Sequence, residues 1–272
     1  MPDLDDAGPL RTTLVAGMVC LVCSALVSTT AVVLRPLREA NRARERQQRI
    51  LDIVARQPGL EDLLPELGDS SSELGDASSE LGNVSLEARV VEVETGAYAD
   101  WIDPASFDAR LAARDPLQSV ALPPERDLAG IGRRARHATV YLVRRAERIE
   151  LVVLPVHGQG YASTLYGYLA LGADGNTVRG LSFYEHGETP GLGAEIDDPE
   201  WLAQWIGKRV RDEQGSIRIG VAADEVDPES PDHPYEVDGL SGATKTCDGV
   251  TLLLRFWLGD DGFAPFLARI RP

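Results

Sequence analysis

Lysine and cysteine are scarce in this chain. Only Lys208 and Lys245 are lysines among the 272 residues, so arginine supplies nearly all of the positive charge. Acidic residues outnumber basic ones by 43 to 27, for a formal net charge of −16. A surface of this charge repels a phosphate backbone, which argues against nucleic acid as a partner. The length suffices for one sizeable soluble domain and an accessory segment.

The three cysteines are too few for a metal centre. Cys20 and Cys23 would share one face of a helix, but no further cysteine or histidine accompanies them to complete a zinc or iron–sulfur site. Small residues that suit helix packing in lipid are the simpler interpretation, and a cluster shared with another subunit is the alternative. Cys247 stands alone and is predicted to be a small buried residue. We therefore predict no metal site.

Charged residues are absent from one long run near the N-terminus. The run covers 12–34 and is flanked by Arg11 and Arg35. As a helix it would be about 34 Å long at ~1.5 Å per residue, enough to cross a bilayer. A cleaved signal peptide is the alternative, but the run is long for one and no Ala-x-Ala site precedes Arg35. We predict an uncleaved transmembrane helix over 12–34, after a cytoplasmic N-terminal tail over 1–11.

Two polar segments follow this run. Residues 35–57 have apolar positions near both ends and a middle of Arg, Glu and Gln, which predicts a juxtamembrane helix. Residues 58–86 contain a tandem seven-residue repeat whose units begin at Glu66, Glu73 and Glu80. The first two units each have a single large apolar residue beside glycine and serine, so a coiled-coil seam cannot form. We predict a low-complexity acidic insertion over 58–86 and a folded domain over 87–272.

Alternating apolar and polar residues predict several strands in the folded domain. Strands are predicted at 88–94, 138–143, 149–156, 167–171, 178–184 and 217–221, and helices at 104–113, 199–206, 248–257 and 263–269. A turn is predicted at 173–176 and a charged break at 144–148. Strands that follow one another as hairpins, with helices gathered between them, indicate an α+β fold with a largely antiparallel sheet flanked by helices.

The segment 238–246, Asp-Gly-Leu-Ser-Gly-Ala-Thr-Lys-Thr, is a polar loop with three hydroxyl side chains. The glycine and alanine before Thr244 leave room for a large substituent or a modifying enzyme near its hydroxyl. From the residues alone, a tight turn is the simpler interpretation, with Thr246 or Asp248 as the N-cap of the next helix.

The pattern Asp-x-x-Ser-Gly-Ala-Thr in this loop resembles the acceptor motif of bacterial flavin transferases. Those enzymes move the FMN part of FAD onto the threonine that closes the motif, as a phosphoester. By this resemblance Thr244 is the acceptor, and Asp238 serves recognition by the transferase. A threonine hydroxyl is a weak nucleophile, so the transferase must bring the base and the metal. No catalytic residue beyond the redox flavin is therefore predicted.

Two further blocks resemble one family. The block 186–195, His-Gly-Glu-Thr-Pro-Gly-Leu-Gly-Ala-Glu, resembles the covalent-FMN-binding subunit of the sodium-translocating NADH:quinone reductase and its homologue in the related Rnf complex. The block 158–167 resembles the same quinone-reductase subunit, with Tyr161 and Ala162 in place of the usual Leu-Trp. The resemblance implies FMN as cofactor, with the expected contacts Ser163, Tyr166, Glu188, Thr189, Leu192, Gly193, Ser241, Gly242, Ala243, Lys245 and Thr246.

Simpler structural interpretations remain open for the same residues. The block 186–195 is also typical of a turn between a strand and a helix, with Trp201 and Trp205 of the next segment in the core. Tyr166 could be an ordinary strand residue with its hydroxyl at the surface. Lys245 could be solvated rather than paired with a phosphate.

The resemblance implies an electron-carrying membrane subunit. FMN on Thr244 would relay electrons in a six-subunit complex that oxidises NADH, reduces ubiquinone and exports sodium. No Gly-x-Gly-x-x-Gly follows a strand in this chain, so NADH must bind another subunit. The implied partners are the other subunits, membrane lipid, and a flavin transferase during maturation. The alternatives are an Rnf-type subunit between ferredoxin and NAD, a membrane-anchored flavin sensor, or an anchor without cofactor.

Charge and resemblance disagree on the side of the membrane that the domain faces. Arg11 precedes the span, whereas six arginines lie between Arg35 and Arg49, which favours a cytoplasmic domain. In the related subunits the flavin domain lies on the periplasmic face. We follow the resemblance and expect a single-pass protein of the bacterial inner membrane with a periplasmic C-terminal domain.

Overall fold

A computed structural model describes residues 13–24, 28 and 84–271. Residues 13–24 are helical, and their large apolar side chains are exposed, Leu14 and Leu21 among them. Within the described residues, no helix is both long and apolar enough to cross a membrane. The predicted tail 1–11, the juxtamembrane helix 35–57, part of the predicted span 12–34 and most of the insertion 58–86 lie outside the described residues.

An antiparallel sheet forms the centre of the fold over 84–271. Its elements in chain order are β1 (Val84–Glu92), α1 (Ala109–Arg114), β2 (Ser119–Ala121), β3 (Arg133–Ala135), β4 (His137–Arg145), β5 (Arg148–Gln159), β6 (Thr164–Gly172), β7 (Val178–Glu185), a 3-10 helix (Gly193–Asp197), α2 (Pro199–Ala203), β8 (Gly220–Val221), β9 (Glu236–Val237), α3 (Thr244–Trp257) and α4 (Ala264–Ile270).

Hairpin connections join β4 to β5, β5 to β6 and β6 to β7, whereas β1 reaches β4 through a longer connection. Five strands pair in the order β1-β4-β5-β6-β7, and every neighbouring pair in this sheet is antiparallel. Strands β2 and β3 form a separate antiparallel pair, and β8 and β9 form a parallel one. The predicted α+β fold, with a largely antiparallel sheet flanked by helices, is confirmed.

Backbone conformation explains the tight turns between the long strands. Ala146 has a positive φ of 52° between β4 and β5, inside the predicted charged break. Gly175 has a φ of 59° between β6 and β7, inside the predicted turn at 173–176. There one carboxylate oxygen of Asp174 accepts hydrogen bonds from the backbone N–H groups of Asn176 and Thr177, both at 3.0 Å. Such side-chain bonds are typical of Asp in turns.

The main core lies between one face of the sheet and the helices that cover it. Alternate strand residues such as Leu142, Leu154 and Leu169 are fully buried there, together with Leu253 of α3 and Phe266 of α4. Alternation of this kind places one side of each strand against the helices. A smaller cluster on the other face combines Leu86, Val143, Leu151, Val153, Tyr168 and Ala170.

Two element boundaries differ from the predictions. Strand β1 begins at Val84, three residues inside the segment assigned to the insertion, because Leu86 belongs to the smaller core cluster. Helix α3 begins at Thr244 rather than at 248. Its polar first turn gave no helical signal, but Thr246 and Cys247 are buried there, at 2% and 4% exposure. Tertiary packing thus outweighs local propensity at this helix start.

Several short elements were missed or overextended. The strands β2, β3 and β9 were not predicted, because two or three residues are too few to establish an alternating pattern. The helix predicted at 104–113 forms only over Ala109–Arg114, where Asp108 caps its N-terminus. The strand predicted at 217–221 is limited to Gly220–Val221.

Candidate functional site

Three loops converge at one end of the sheet, and each contains one of the sequence motifs. The first joins β5 to β6, the second follows β7, and the third leads into α3. Antiparallel pairing of β5, β6 and β7 brings the first two loops together at the same end. Helix α3 packs on β5 and brings the third loop to them.

Glycines on both elements allow α3 to approach β5 closely. A Cβ added to Gly249 would lie 2.5 Å from the carbonyl oxygen of Gln159, and one added to Gly158 would lie 2.6 Å from Cβ of Leu253. Real Cβ atoms do not come this close to other atoms, so a side chain at either position would push the helix away. The sequence signal for this contact is a glycine within a helical pattern.

Glu188 connects the three loops below the surface. Its side chain is buried, with only 5% of the residue exposed. One carboxylate oxygen accepts hydrogen bonds from the backbone N–H groups of Ala162 at 3.0 Å and Ser163 at 3.1 Å. The other accepts a hydrogen bond from the Thr246 hydroxyl at 2.7 Å. The carboxylate therefore bonds to the first loop and to α3 while it belongs to the second loop.

Gly193 of the second loop packs against both Thr246 and Glu188. A Cβ at this position would lie 2.6 Å from Thr246 Oγ1 and 2.8 Å from Oε2 of Glu188. Gly193 is itself buried. We call Glu188, Gly193 and Thr246 the inner layer of the site.

Two polar residues support this layer from the side. The Ser163 hydroxyl accepts a hydrogen bond from the Gly187 N–H at 2.6 Å. Nδ1 of His186 accepts from the Glu188 N–H at 3.2 Å, and Nε2 lies 2.8 Å from Oδ2 of Asp197. An acceptor at Nδ1 assigns the ring proton to Nε2, which then donates to the carboxylate. The block 186–195 gave no indication of these contacts of His186.

Thr244 lies on the outer side of this arrangement. It is exposed and is the first residue of α3, a helix of 14 residues. The preceding residue, Ala243, is the N-cap and provides no side-chain hydrogen bond to the helix. The first N–H groups of a helix have no partner within the helix and carry a partial positive charge. The surroundings of Thr244 thus favour an anion such as a phosphate group.

One apolar and one aromatic side chain lie close to residues that neighbour Thr244 in sequence. Leu192 of the second loop is 44% exposed, and a Cβ added to Gly242 would lie 3.0 Å from its Cδ2. Gly242 has a positive φ of 73°, which favours glycine at this close approach. Tyr161 of the first loop is 64% exposed, and Nζ of Lys245 lies 5.3 Å from the centre of its ring. We call Tyr161, Leu192, Thr244 and Lys245 the outer layer.

The interpretation of Thr246 as helix N-cap is wrong. Thr246 is the third residue of α3, and Asp248 is the fifth. The Thr246 hydroxyl donates a hydrogen bond to Glu188, and no N–H group at the helix start is capped by it. The cap interpretation failed because the helix starts earlier than its apolar pattern.

The remaining predicted contacts of these loops are divided between surface and interior. Ser241 and Thr189 are exposed, whereas Ala243 is 6% exposed. The Thr189 carbonyl accepts hydrogen bonds from the N–H groups of Leu192 and Ala194, both at 3.1 Å, and so shapes the second loop. These bonds use the backbone of Thr189 alone, and the flavin contact of its side chain stays a prediction.

Tyr166 lies apart from the other predicted contacts. Because side chains alternate along β6, it points away from Leu165, which is buried in the main core. The guanidinium carbon of Arg110 lies 3.5 Å from the centre of the Tyr166 ring, and His157 stacks on the ring at 5.5 Å. Burial and the nearby Arg110 lower the pKa of His157 to about 4, so this imidazole is neutral. A role of Tyr166 at the flavin stays a prediction.

Asp238 holds the start of the third loop. Its carboxylate accepts from the Val226 N–H at 2.7 Å, and its own N–H donates to the Gln204 side chain at 3.0 Å. Its carbonyl accepts from the indole N–H of Trp201 at 2.8 Å. Trp201 and Trp205 are 4% and 0% exposed, so their predicted core positions are confirmed. The recognition role predicted for Asp238 remains a prediction beside this structural one.

One of the three cysteines contacts the third loop, because Sγ of Cys247 accepts a hydrogen bond from the Leu240 N–H at 3.4 Å. Cys247 is 4% exposed, as predicted, and burial raises the pKa of its thiol. Cys20 and Cys23 are free and exposed. Among the described residues, no group of three or more His, Cys, Asp or Glu side chains could hold a metal ion.

Comparisons with known proteins agree with the motifs. The NqrC protein of the Na(+)-translocating NADH-quinone reductase from Pseudomonas aeruginosa is 46% identical over 262 residues, which cover 96% of this chain and 95% of the relative. The chain belongs to the NqrC family. The corresponding Yersinia pestis protein is 41% identical, over 96% of this chain and 92% of its own length.

Domain and structure comparisons agree with this family. The FMN-binding domain model matches residues 160–259, a range that contains all three site loops from Gly160 onward. The crystal structure of NqrC from Shewanella oneidensis has a TM-score of 0.70 and 31% identity, and covers 85% of this chain and 98% of that one. The NqrC structure from Parabacteroides distasonis has a TM-score of 0.58 and 25% identity, over 86% and 96% of the two chains.

Proposed function

We propose that this chain is the electron-transfer NqrC component of a sodium-translocating NADH:quinone reductase and carries FMN as a phosphoester on Thr244. The observation that carries the proposal is the position of Thr244, exposed as the first residue of a helix whose N-terminus has no side-chain cap. Family membership supports the reductase, and the match of the FMN-binding domain model supports the cofactor.

The residues around Thr244 fit a flavin phosphate. The partial positive charge at the start of α3 would stabilise the negative charge of a phosphoester. Lys245 is exposed beside Thr244, and its ammonium group adds positive charge near the same point. Gly242 has no side chain that could obstruct the Thr244 hydroxyl. The loop therefore accommodates a charged substituent at low steric cost.

The outer layer also fits a flat apolar ring. The exposed Leu192 lies close to Gly242, and the exposed Tyr161 lies close to Lys245. Apolar contacts of this kind tune the reduction potential of a flavin, which supplies reversible electron transfer when bound. The chain itself would position the flavin, shield part of it from water and place a positive charge near its phosphate. The NADH site belongs to another subunit in this proposal, and the NADH:quinone reaction and sodium export belong to the whole six-subunit complex.

We also propose that 12–34 forms a transmembrane helix that anchors the domain on the periplasmic side of the inner membrane. The described part of this segment is helical and exposes Leu14, Met18 and Leu21. Lipid would cover such side chains, which are unfavourable in water as a continuous surface. C-terminal fusions to alkaline phosphatase and to green fluorescent protein test the topology. An active phosphatase supports it, and a fluorescent cytoplasmic fusion contradicts it.

Replacement of Thr244 tests the attachment site. The full chain is coexpressed with a flavin transferase, and covalent flavin is detected by fluorescence in a denaturing gel and by intact mass. The wild type should gain one FMN less one water. Thr244→Val should gain nothing, because valine has no hydroxyl to form the phosphoester. Thr251→Val removes a hydroxyl elsewhere in α3, which accepts a hydrogen bond from the Val221 N–H, and this variant should still be labelled. Fluorescent Thr244→Val would refute the assignment.

A further inference from the structure

The hydrogen bonds of Glu188 and Thr246 are directed into the protein and away from the outer layer. Thr246 has a single hydroxyl hydrogen, and that hydrogen points to Glu188 at an oxygen–oxygen distance of 2.7 Å. Thr246 is 2% exposed, whereas Thr244, two positions earlier in the same turn, is exposed. Both oxygens of Glu188 accept hydrogen bonds from the protein. Both side chains therefore use these hydrogen bonds to join parts of the protein to one another.

We propose that Glu188 and Thr246 are positioning residues, whose hydrogen bond presents Thr244 to the flavin transferase. The inference rests on the proposed attachment of FMN at Thr244. The Glu188 carboxylate joins the second loop to the backbone of the first loop and to the third residue of α3. The bond thus holds the first turn of α3, and Thr244 with it, against two loops.

The buried Glu188 carboxylate is stabilised by backbone groups and not by a cationic side chain. Glu188 reaches into the first turn of α3, where the helix dipole stabilises a carboxylate. The two backbone N–H donors from the first loop supply further partial positive charge. A buried carboxylate without such donors would carry a large desolvation penalty. The geometry therefore gives α3 two functions at its start, since the inner side binds a carboxylate and the outer side carries the acceptor hydroxyl.

Close packing restricts the hydrogen bond between Glu188 and Thr246. Gly193 lies against both partners, since a Cβ there would be 2.6 Å from Thr246 Oγ1 and 2.8 Å from Glu188 Oε2. Gly160 lies against the other oxygen, with a Cβ position 2.6 Å from Glu188 Oε1. Glycine on both sides lets the loops close around the carboxylate. The first turn of α3 is therefore held in one position before any flavin is attached.

The test measures FMN transfer to the purified, detergent-solubilised full chain from FAD by a flavin transferase, with separate kcat and KM for the chain as substrate. Thr246→Val removes the donor and should lower kcat/KM about tenfold or more, as expected for a lost hydrogen bond to a charged group. Thr246→Ser keeps the hydroxyl and should restore most of the rate. Thr246→Val combined with Glu188→Ala should be no slower than the slower single variant, because both changes remove the same bond.

Thr251→Val is the matched control for damage to the helix. Thr251 lies in the same helix and its hydroxyl accepts a hydrogen bond from the Val221 N–H at 2.9 Å, away from the three loops. Thermal unfolding identifies the loss of stability in each variant. A positioning role predicts normal transfer to Thr251→Val at a temperature where both variants are folded. Equal slowing of Thr246→Val and Thr251→Val, or normal transfer to Thr246→Val, would overturn the inference.

Failure of the inference is distinct from failure of the proposed function. If the wild-type chain accepts FMN and Thr246→Val accepts it at the same rate, only the positioning role is wrong. If FMN is transferred to the wild type but equally to Thr244→Val, the attachment site is wrong and the positioning role falls with it.

Discussion

The inner and outer layers of the site come from the same short loops but have opposite environments. Glu188 is 5% exposed and Leu192 is 44% exposed, although only four positions separate them. In the third loop, Thr246 is buried and Thr244 is exposed. The inner layer uses polar groups to join loops, whereas the outer layer leaves an apolar surface and a hydroxyl open. The hydrogen bonds of Glu188 and Thr246 thus join parts of the protein, and their predicted flavin contacts stay predictions.

Gly193→Val should have the largest effect on stability, because it disrupts the inner layer. Its Cβ would lie 2.6 Å from Thr246 Oγ1 and 2.8 Å from Glu188 Oε2. We expect a loss of about 3 kcal/mol in the free energy of unfolding, from overpacking and from the strained hydrogen bond. Urea denaturation measures it. Gly191→Ala is the control, since its Cβ meets nothing within 4 Å and only its φ of 75° is unfavourable.

The control should lose about 1 kcal/mol, the cost of a side chain in the left-handed region. An equal loss in both variants would show that Gly193 is not closely packed, and the distinction between the two layers would not hold at this position.

The reactivity of the Cys247 thiol should show whether a reagent can reach the interior beside the inner layer. Burial raises its pKa, so the folded protein contains less thiolate at neutral pH than an unfolded chain does. In a Cys20→Ser, Cys23→Ser background Cys247 is the remaining cysteine of the chain. We expect slow reaction with N-ethylmaleimide at pH 7 and fast reaction after denaturation, measured by mass spectrometry.

Glu188→Ala should accelerate this labelling in the folded state, because it removes the bonds that hold the loops on α3. The labelling rate should also increase with pH. This increase should occur at a higher pH in the folded protein than in the unfolded chain. Fast labelling of the folded wild type at pH 7 would contradict a closed inner layer.

Tyr161→Ala should have the smallest effect on stability, because the side chain belongs to the outer layer. The residue is 64% exposed, and we expect a change within about 0.5 kcal/mol in the free energy of unfolding. The fluorescence yield of attached FMN should rise, because an aromatic ring close to a flavin quenches its emission. Tyr161→Phe retains a ring and should stay quenched. Unchanged fluorescence in Tyr161→Ala would place the flavin ring away from this loop.

Long strands were predictable from the sequence, and so were the three loops. The alternating segments at 138–143, 149–156 and 178–184 each lie within an observed strand, because one face of each is buried. The start of α3 was not predictable from pattern, since Thr244 to Cys247 show no apolar period. Their helical state depends on contacts with Glu188 and with the end of β5.

Roles within the site were less predictable than its location. Motif resemblance selected Glu188, Thr246 and Leu192 alike as flavin contacts, but only Leu192 lies at the surface. A motif preserves the residue types of a loop without their orientation. Tyr166 illustrates the same limit, because its strand position turns it toward Arg110 and His157.

The sequence by itself determined the family, the sheet and the choice of Thr244, because periodicity and short motifs are local properties of the chain. Only the tertiary structure decided which hydroxyl of the first turn of α3 faces outward. That orientation depends on how closely the helix packs on β5, and the contacts of Gly158 and Gly249 set this distance. Residues far apart in sequence make these contacts, so no local pattern contains them.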